Sequence, residues 1–125
     1  MNVSGDLTSS AGNSGAATDD LTVDAGLPGF TKSFAPGSVN LGGRSTLTFT
    51  IDNTLNGSGV PNLDFTDNLP VGLEVADPPN VVVNSIGTSL IPPVVTAIPG
   101  SGVVTLDSDG TGGLPAIAAG ATGTV

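Results

Sequence analysis

Apolar and polar residues alternate along most of this chain. In "STLTFTID" (45–52) Leu47, Phe49 and Ile51 share one face, while Thr46, Thr48, Thr50 and Asp52 share the other. A period of two with one apolar face predicts a half-buried antiparallel strand. "NLDFTD" (62–67) turns Leu63 and Phe65 inward and Asp64 and Thr66 outward. "NVVVNSI" (80–86) and "GVVTLD" (102–107) are short β-branched runs that also read as strands. In "GFTKSF" the same alternation puts Phe30, Lys32 and Phe34 on one side.

Near the start, "NVSGDLTSSAGNSGAATDDLTV" (2–23) reads as strand, Gly-rich turn, strand. Val3 and Leu7 share a face, and later Leu21 and Val23 do. Pro, Gly and Asn punctuate the runs about every ten residues, as in "APGSVNLGG", "ADPPN" and "IPGSG". No helical period persists. Many short strands with such turns predict an all-β sandwich or barrel of about eight or nine strands.

Composition sharpens this picture. The chain has no Trp, Tyr, Cys or His, so the core is aliphatic with four Phe. Disulfides and thiol chemistry are excluded. Lys32 and Arg44 stand against eleven acidic residues, for a net charge of −9. Such a chain is repelled by phosphate backbones and anionic lipid, which argues against nucleic acid as a partner. No apolar run approaches the ~20 residues that span a bilayer, so membrane insertion by this chain is not expected. Residues 1–20 lack a basic start and an apolar stretch, so no signal peptide is read there.

Several motifs occur in a recognisable order: "PGFTKSFAPGSVNLGGRSTLTFTIDNT", then "FTDNLPVGLEVADPPNV", then "LPAIAAGATGTV". Together they resemble the DUF11-like conserved repeat of bacterial surface proteins. That family has a first strand with Lys, a Gly turn, a Thr-rich strand ending in Asn, a "TD-LP-GL" corner and a late "AAG" turn. The resemblance implies an immunoglobulin-like antiparallel β-sandwich, strung in tandem in large secreted or cell-surface proteins, without catalytic activity. It also implies two more strands after "AAGATGTV", in a form similar to residues 2–23. On this reading residues 1–24 are a strand pair like the end of a preceding repeat. Residues 25–29 are then a linker, and 30–125 a repeat lacking its last strands. Residues 2–23 then complete their own sheet, a neighbouring copy's sheet by donor-strand addition, or an adjoining repeat in an array.

Candidate chemistry is sparse. Asp107 and Asp109 in "DSDGTGG" alternate before Gly110, a spacing that suits a Ca²⁺ loop but also an Asp-Gly turn. Asp19, Asp20 and Asp24 in "TDDLTVD" form a second acidic group, read as a junction calcium site or as a solvated edge that discourages wrong pairing. Asp19 falls on the face of Leu21 and Val23, a costly place unless it is paired or at a strand end. Lys32, between two Phe, needs a partner, and Asp67 is in phase with Leu63 and Phe65 to supply one. Some bacterial surface domains join such a Lys to an Asn or Asp in an isopeptide bond. That bond needs a desolvated amine, with Asn2 or Asn13 here as acceptor. A snorkelling Lys–Asp ion pair explains the same pattern.

No general base stands beside the many Ser and Thr, so an enzyme is not expected. The leading expectation is a structural repeat of an extracellular bacterial fibre or adhesin, partnered by copies of itself. The alternative is a calcium-dependent β-sandwich module that binds carbohydrate or protein through its end loops.

Overall fold

A computed structural model describes residues 2–22, 26–87, 92–108 and 116–125. Every regular element in them is a strand, and there are ten. Three sequence expectations map directly onto β5 (Gly29–Ala35), β6 (Thr46–Asp52) and β7 (Leu63–Asn68). β8 (Val94–Ala97), β9 (Val103–Ser108) and β10 (Thr122–Thr124) follow.

These six strands make two antiparallel three-stranded sheets, β10-β6-β5 and β7-β9-β8. β6 carries the first sheet. Its whole length pairs with β5, Phe30 opposite Ile51 and Lys32 opposite Phe49. On its other side β10 pairs with residues 50–52, and Val125 exchanges two backbone hydrogen bonds with Phe49 at 2.9 and 3.1 Å. β9 carries the second sheet, paired with β7 on one side and β8 on the other.

The alternation read from sequence decides what lies between the sheets. Phe49 and Ile51 of β6 are buried, as are Val104 and Leu106 of β9. Ile51, Ile86, Leu106 and Ile117 form the centre of the core, with Phe65, Val83, Val95 and Val125 packed against it. Gly123 of β10 is there for space. A Cβ at that position would lie 2.5 Å from Cγ1 of buried Ile86.

One end of the sandwich is tied by a buried asparagine. Asn53, at the end of β6, is wholly buried. Its Nδ2 donates to Ser58 O at 3.0 Å and to Ala118 O at 2.9 Å, and its Oδ1 accepts from Asn56 Nδ2. Gly120 N–H donates to Asn53 O at 3.1 Å, and Asn53 N–H to Ala121 O at 2.8 Å. One side chain thus holds the 53–60 loop to the 116–121 turn. Beside it, Asp52 accepts the N–H and hydroxyl of Thr54 at 2.9 and 2.6 Å. These bonds hold the Asp52 carboxyl below its ordinary value.

The opening stretch is a separate hairpin. β1 (Asn2–Val3) pairs with β4 (Thr18–Asp19), and β2 (Thr8–Ser9) with β3 (Gly12–Asn13). Between the ladders Ser4 N–H reaches Ala17 O at 2.9 Å, and Ser14 N–H reaches Leu7 O at 2.9 Å. The register is continuous from one ladder to the other. The two strands expected there are present, each divided into two short ladders.

One expected strand is absent. In "NVVVNSI" only Asn84 makes a β-bridge, to Thr124. Asn80 and Ser85 adopt positive φ, 50° and 56°, which takes the backbone out of the β region at both ends of the run. The run still delivers Ile86 to the core. β8, after Pro92 and Pro93, was not read from the sequence.

The Asn53 network yields a clear expectation. Asn53→Ala strips partners from Ser58 O, Ala118 O and the Asn56 amide, and costs about 3 kcal/mol. Urea denaturation of the two proteins measures the difference.

Candidate functional site

The sandwich is closed over β6 and β9 and open beside them. β5 turns Phe30, Lys32 and Phe34 to the same side as buried Phe49, yet all seven of its residues are exposed. Phe30 is 53% exposed and Phe34 37%. The cause is the opposing sheet, which stops at β7. β7 pairs only with β9, so its other edge is free among the described residues. Among the described residues no strand continues the opposing sheet past β7.

The four Phe divide between core and flank. Phe49 and Phe65 stand 4.5 Å apart between ring centres, and Phe30 lies 5.2 Å from Phe65 and 6.0 Å from Phe49. Phe34, further along β5, lines a cavity of about 740 Å³ between the sheets. Leu47, Leu69, Val75, Val82 and Val95 also line it. This space is a cleft partly open to solvent, lined also by Pro36, Arg44 and Pro78.

Lys32 and Asp67 meet on the open flank. Lys32 Nζ donates to Asp67 Oδ1 at 2.7 Å, with side-chain exposures of 46% and 15%. The second carboxylate oxygen, Oδ2, is buried and has no hydrogen-bond donor. Period two placed the pair. Lys32 is inward on β5, Asp67 is inward on β7, and the strands run over one another. The contact is that of a hydrogen-bonded ion pair. Asn2 and Asn13 lie away from it, on the hairpin.

The hairpin has its own exposed face. Its register sets Val3 against Thr18 and Asn2 against Asp19. Val3 and Leu7 fall on one face, while Asn2, Ser4, Asp6 and Thr8 fall on the other. Val3 is 50% exposed and Leu7 67%. None of β1–β4 contacts any of β5–β10.

The acidic candidates are scattered. Asp19 and Asp20 lie at the exposed end of the hairpin, where Asp19 Oδ1 accepts Asp20 N–H at 2.8 Å. Leu21 beside them is exposed as well, so Asp19 bears no burial cost. Asp107 is on β9, directly opposite Asp64 of β7. Asp24 and Asp109 lie outside the described residues. Among the described residues, no three acidic side chains converge as a cation site.

Sequence reasoning missed Asn53 and the cavity. The signal for Asn53 was available, since a polar residue closes an otherwise regular strand. The cavity had none, because an alternating strand looks the same whether its inner face is covered or bare.

The architecture is that of an all-β, sandwich-like protein. A family model for a domain of unknown function, DUF7933, matches residues 28–120, and the chain belongs to that family. The match covers β5 to the turn before β10. No curated protein and no solved structure matches the chain. No helix among the described residues is long and apolar enough to cross a membrane.

The ion pair is testable by a double-mutant cycle of Lys32→Met and Asp67→Asn. Solvent reaches the Lys side of the pair, so the expected coupling is about 1 kcal/mol, and it falls as salt is added. Urea midpoints of the four proteins at low and high ionic strength read it out.

Proposed function

We propose that this chain is a structural unit of an extracellular bacterial fibre or adhesin, joined to its neighbours by strand pairing. The observation that carries this reading is the open flank: an inward strand face with exposed Phe30 and Phe34 beside a strand edge that is unpaired among the described residues. A bare edge next to an apolar trough is a strong driver of association. The motif resemblance to DUF11-like immunoglobulin-like repeats supports the same reading, since that family occurs in tandem in secreted and surface proteins.

The mechanism is strand addition. Main-chain hydrogen bonds to the free edge give affinity, and alternate side chains entering the trough give register. The surface suits this work. It has few charged groups, so little desolvation opposes close approach, and its one-signed charge keeps units apart until a specific contact forms.

The reading predicts concentration-dependent chains. Sedimentation velocity should show species growing with concentration, and electron microscopy should show linear assemblies. Salt should promote them, because each unit carries −9 and screening shortens to ~3 Å at 1 M. A monodisperse monomer at the highest attainable concentration in high salt contradicts the reading.

A further inference from the structure

We propose that Asn56 is a self-modification site: the backbone nitrogen of Gly57 attacks the Asn56 side-chain amide, and the acidic product unties the closed end of the sandwich. This chemistry is independent of strand addition.

It starts in the sequence. Asn56 is the one asparagine of the chain followed by glycine. Lacking a Cβ, glycine turns its backbone nitrogen onto the preceding side chain with the least hindrance. The Gly57 nitrogen loses its proton to hydroxide and bonds to Cγ of Asn56. The Cγ–Nδ2 bond breaks, and Nδ2 takes a proton from water and leaves as ammonia. The five-membered succinimide then adds water. Opening at the Cγ carbonyl gives aspartate, and opening at the Asn56 main-chain carbonyl gives isoaspartate. Water is the sole co-reactant.

The structure leaves the attacking atom free. Gly57 is exposed, and its N–H makes no hydrogen bond among the described residues. Nothing lies within 4 Å of the place its Cβ would take. At the asparagines followed by Ser or Thr, the backbone is engaged. After Asn13, Ser14 N–H donates to Leu7 O at 2.9 Å. After Asn53, Thr54 N–H donates to Asp52 Oδ1 at 2.9 Å. Asn84 itself exchanges two backbone hydrogen bonds with Thr124, at 2.9 and 3.0 Å.

Asn53 sets the consequence. It is wholly buried, and both hydrogens of its Nδ2 are in use, on Ser58 O and Ala118 O. Its Oδ1 is an acceptor, and Asn56 Nδ2 is its donor. A carboxylate at position 56 has no hydrogen to give, and sets an anionic oxygen against that acceptor. Turning the Asn53 amide over brings no relief, since its oxygen would then face two carbonyls. A buried acceptor stripped of its donor is destabilising. The isoaspartyl product does more. It routes the main chain through Cβ and Cγ, which displaces the carbonyl that accepts Gly120 N–H at 3.1 Å. Either product weakens the join between the 53–60 loop and the 116–121 turn.

Incubating the folded full chain at mildly alkaline pH tests this. Peptide mapping by mass spectrometry follows each asparagine, and an isoaspartyl methyltransferase counts isoaspartate. Conversion at Asn56 is expected to run at least tenfold faster than at Asn13, Asn53 or Asn84. Gly57→Ala, which the open space around Gly57 accommodates, should slow it at least tenfold in a chain that stays folded. The converted chains, separated by anion exchange, should unfold at a lower urea midpoint, and Asn56→Asp should reproduce that fall. Conversion at Asn56 no faster than elsewhere, or undiminished in Gly57→Ala, overturns the site. Converted chains with the urea midpoint of the starting protein overturn the untying.

Discussion

The structure turns on how two unequal layers meet. β6 and β9 face each other and bury Phe49, Ile51, Val104 and Leu106 between them. That burial is the main hydrophobic term holding the fold. It covers only the central strands. β5 is bound to β6 along seven residues, so it cannot retract from solvent when the opposing sheet stops at β7. The half-exposed Phe30 and Phe34 follow from that constraint.

Polar ties act where the apolar contact ends. Lys32–Asp67 links the sheets at the open flank, and Asn53 links two loops at the closed end. They differ in kind. The ion pair is partly solvated, so its value is modest and depends on salt. The Asn53 network is buried and fully partnered, so losing it leaves several groups unpaired at once. Both ties use residues of the quoted sequence stretches: Lys32 of "GFTKSF" with Asp67 of "FTDNLP", and Asn53 after "STLTFTID" with the "AAG" turn. These motifs are the contacts that fix where strands and turns meet.

Much of this was legible in the sequence, for identifiable reasons. A period of two fixes which residues share a face, so β5, β6, β7 and β9 were readable, as was the Lys32–Asp67 meeting. The 80–86 run was misread because β-branched composition speaks for a strand, while Asn80 and Ser85 at positive φ break it. Asn53 was missed because its partners lie about the Ala118–Gly120 turn, far along the chain. The open flank was hidden for a deeper reason. Alternation records which face a side chain takes and is silent on whether anything lies opposite.

The account holds that the open flank is where one unit joins the next by strand addition. Hydrogen exchange followed by mass spectrometry as a function of concentration tests this most directly. In dilute solution the peptides covering β5 and β7 should exchange readily at their free edges. At high concentration and high salt they should gain protection, while the β8 peptide stays unchanged. Protection of β7 that is independent of concentration, or a gain at β8 in its place, would contradict the account.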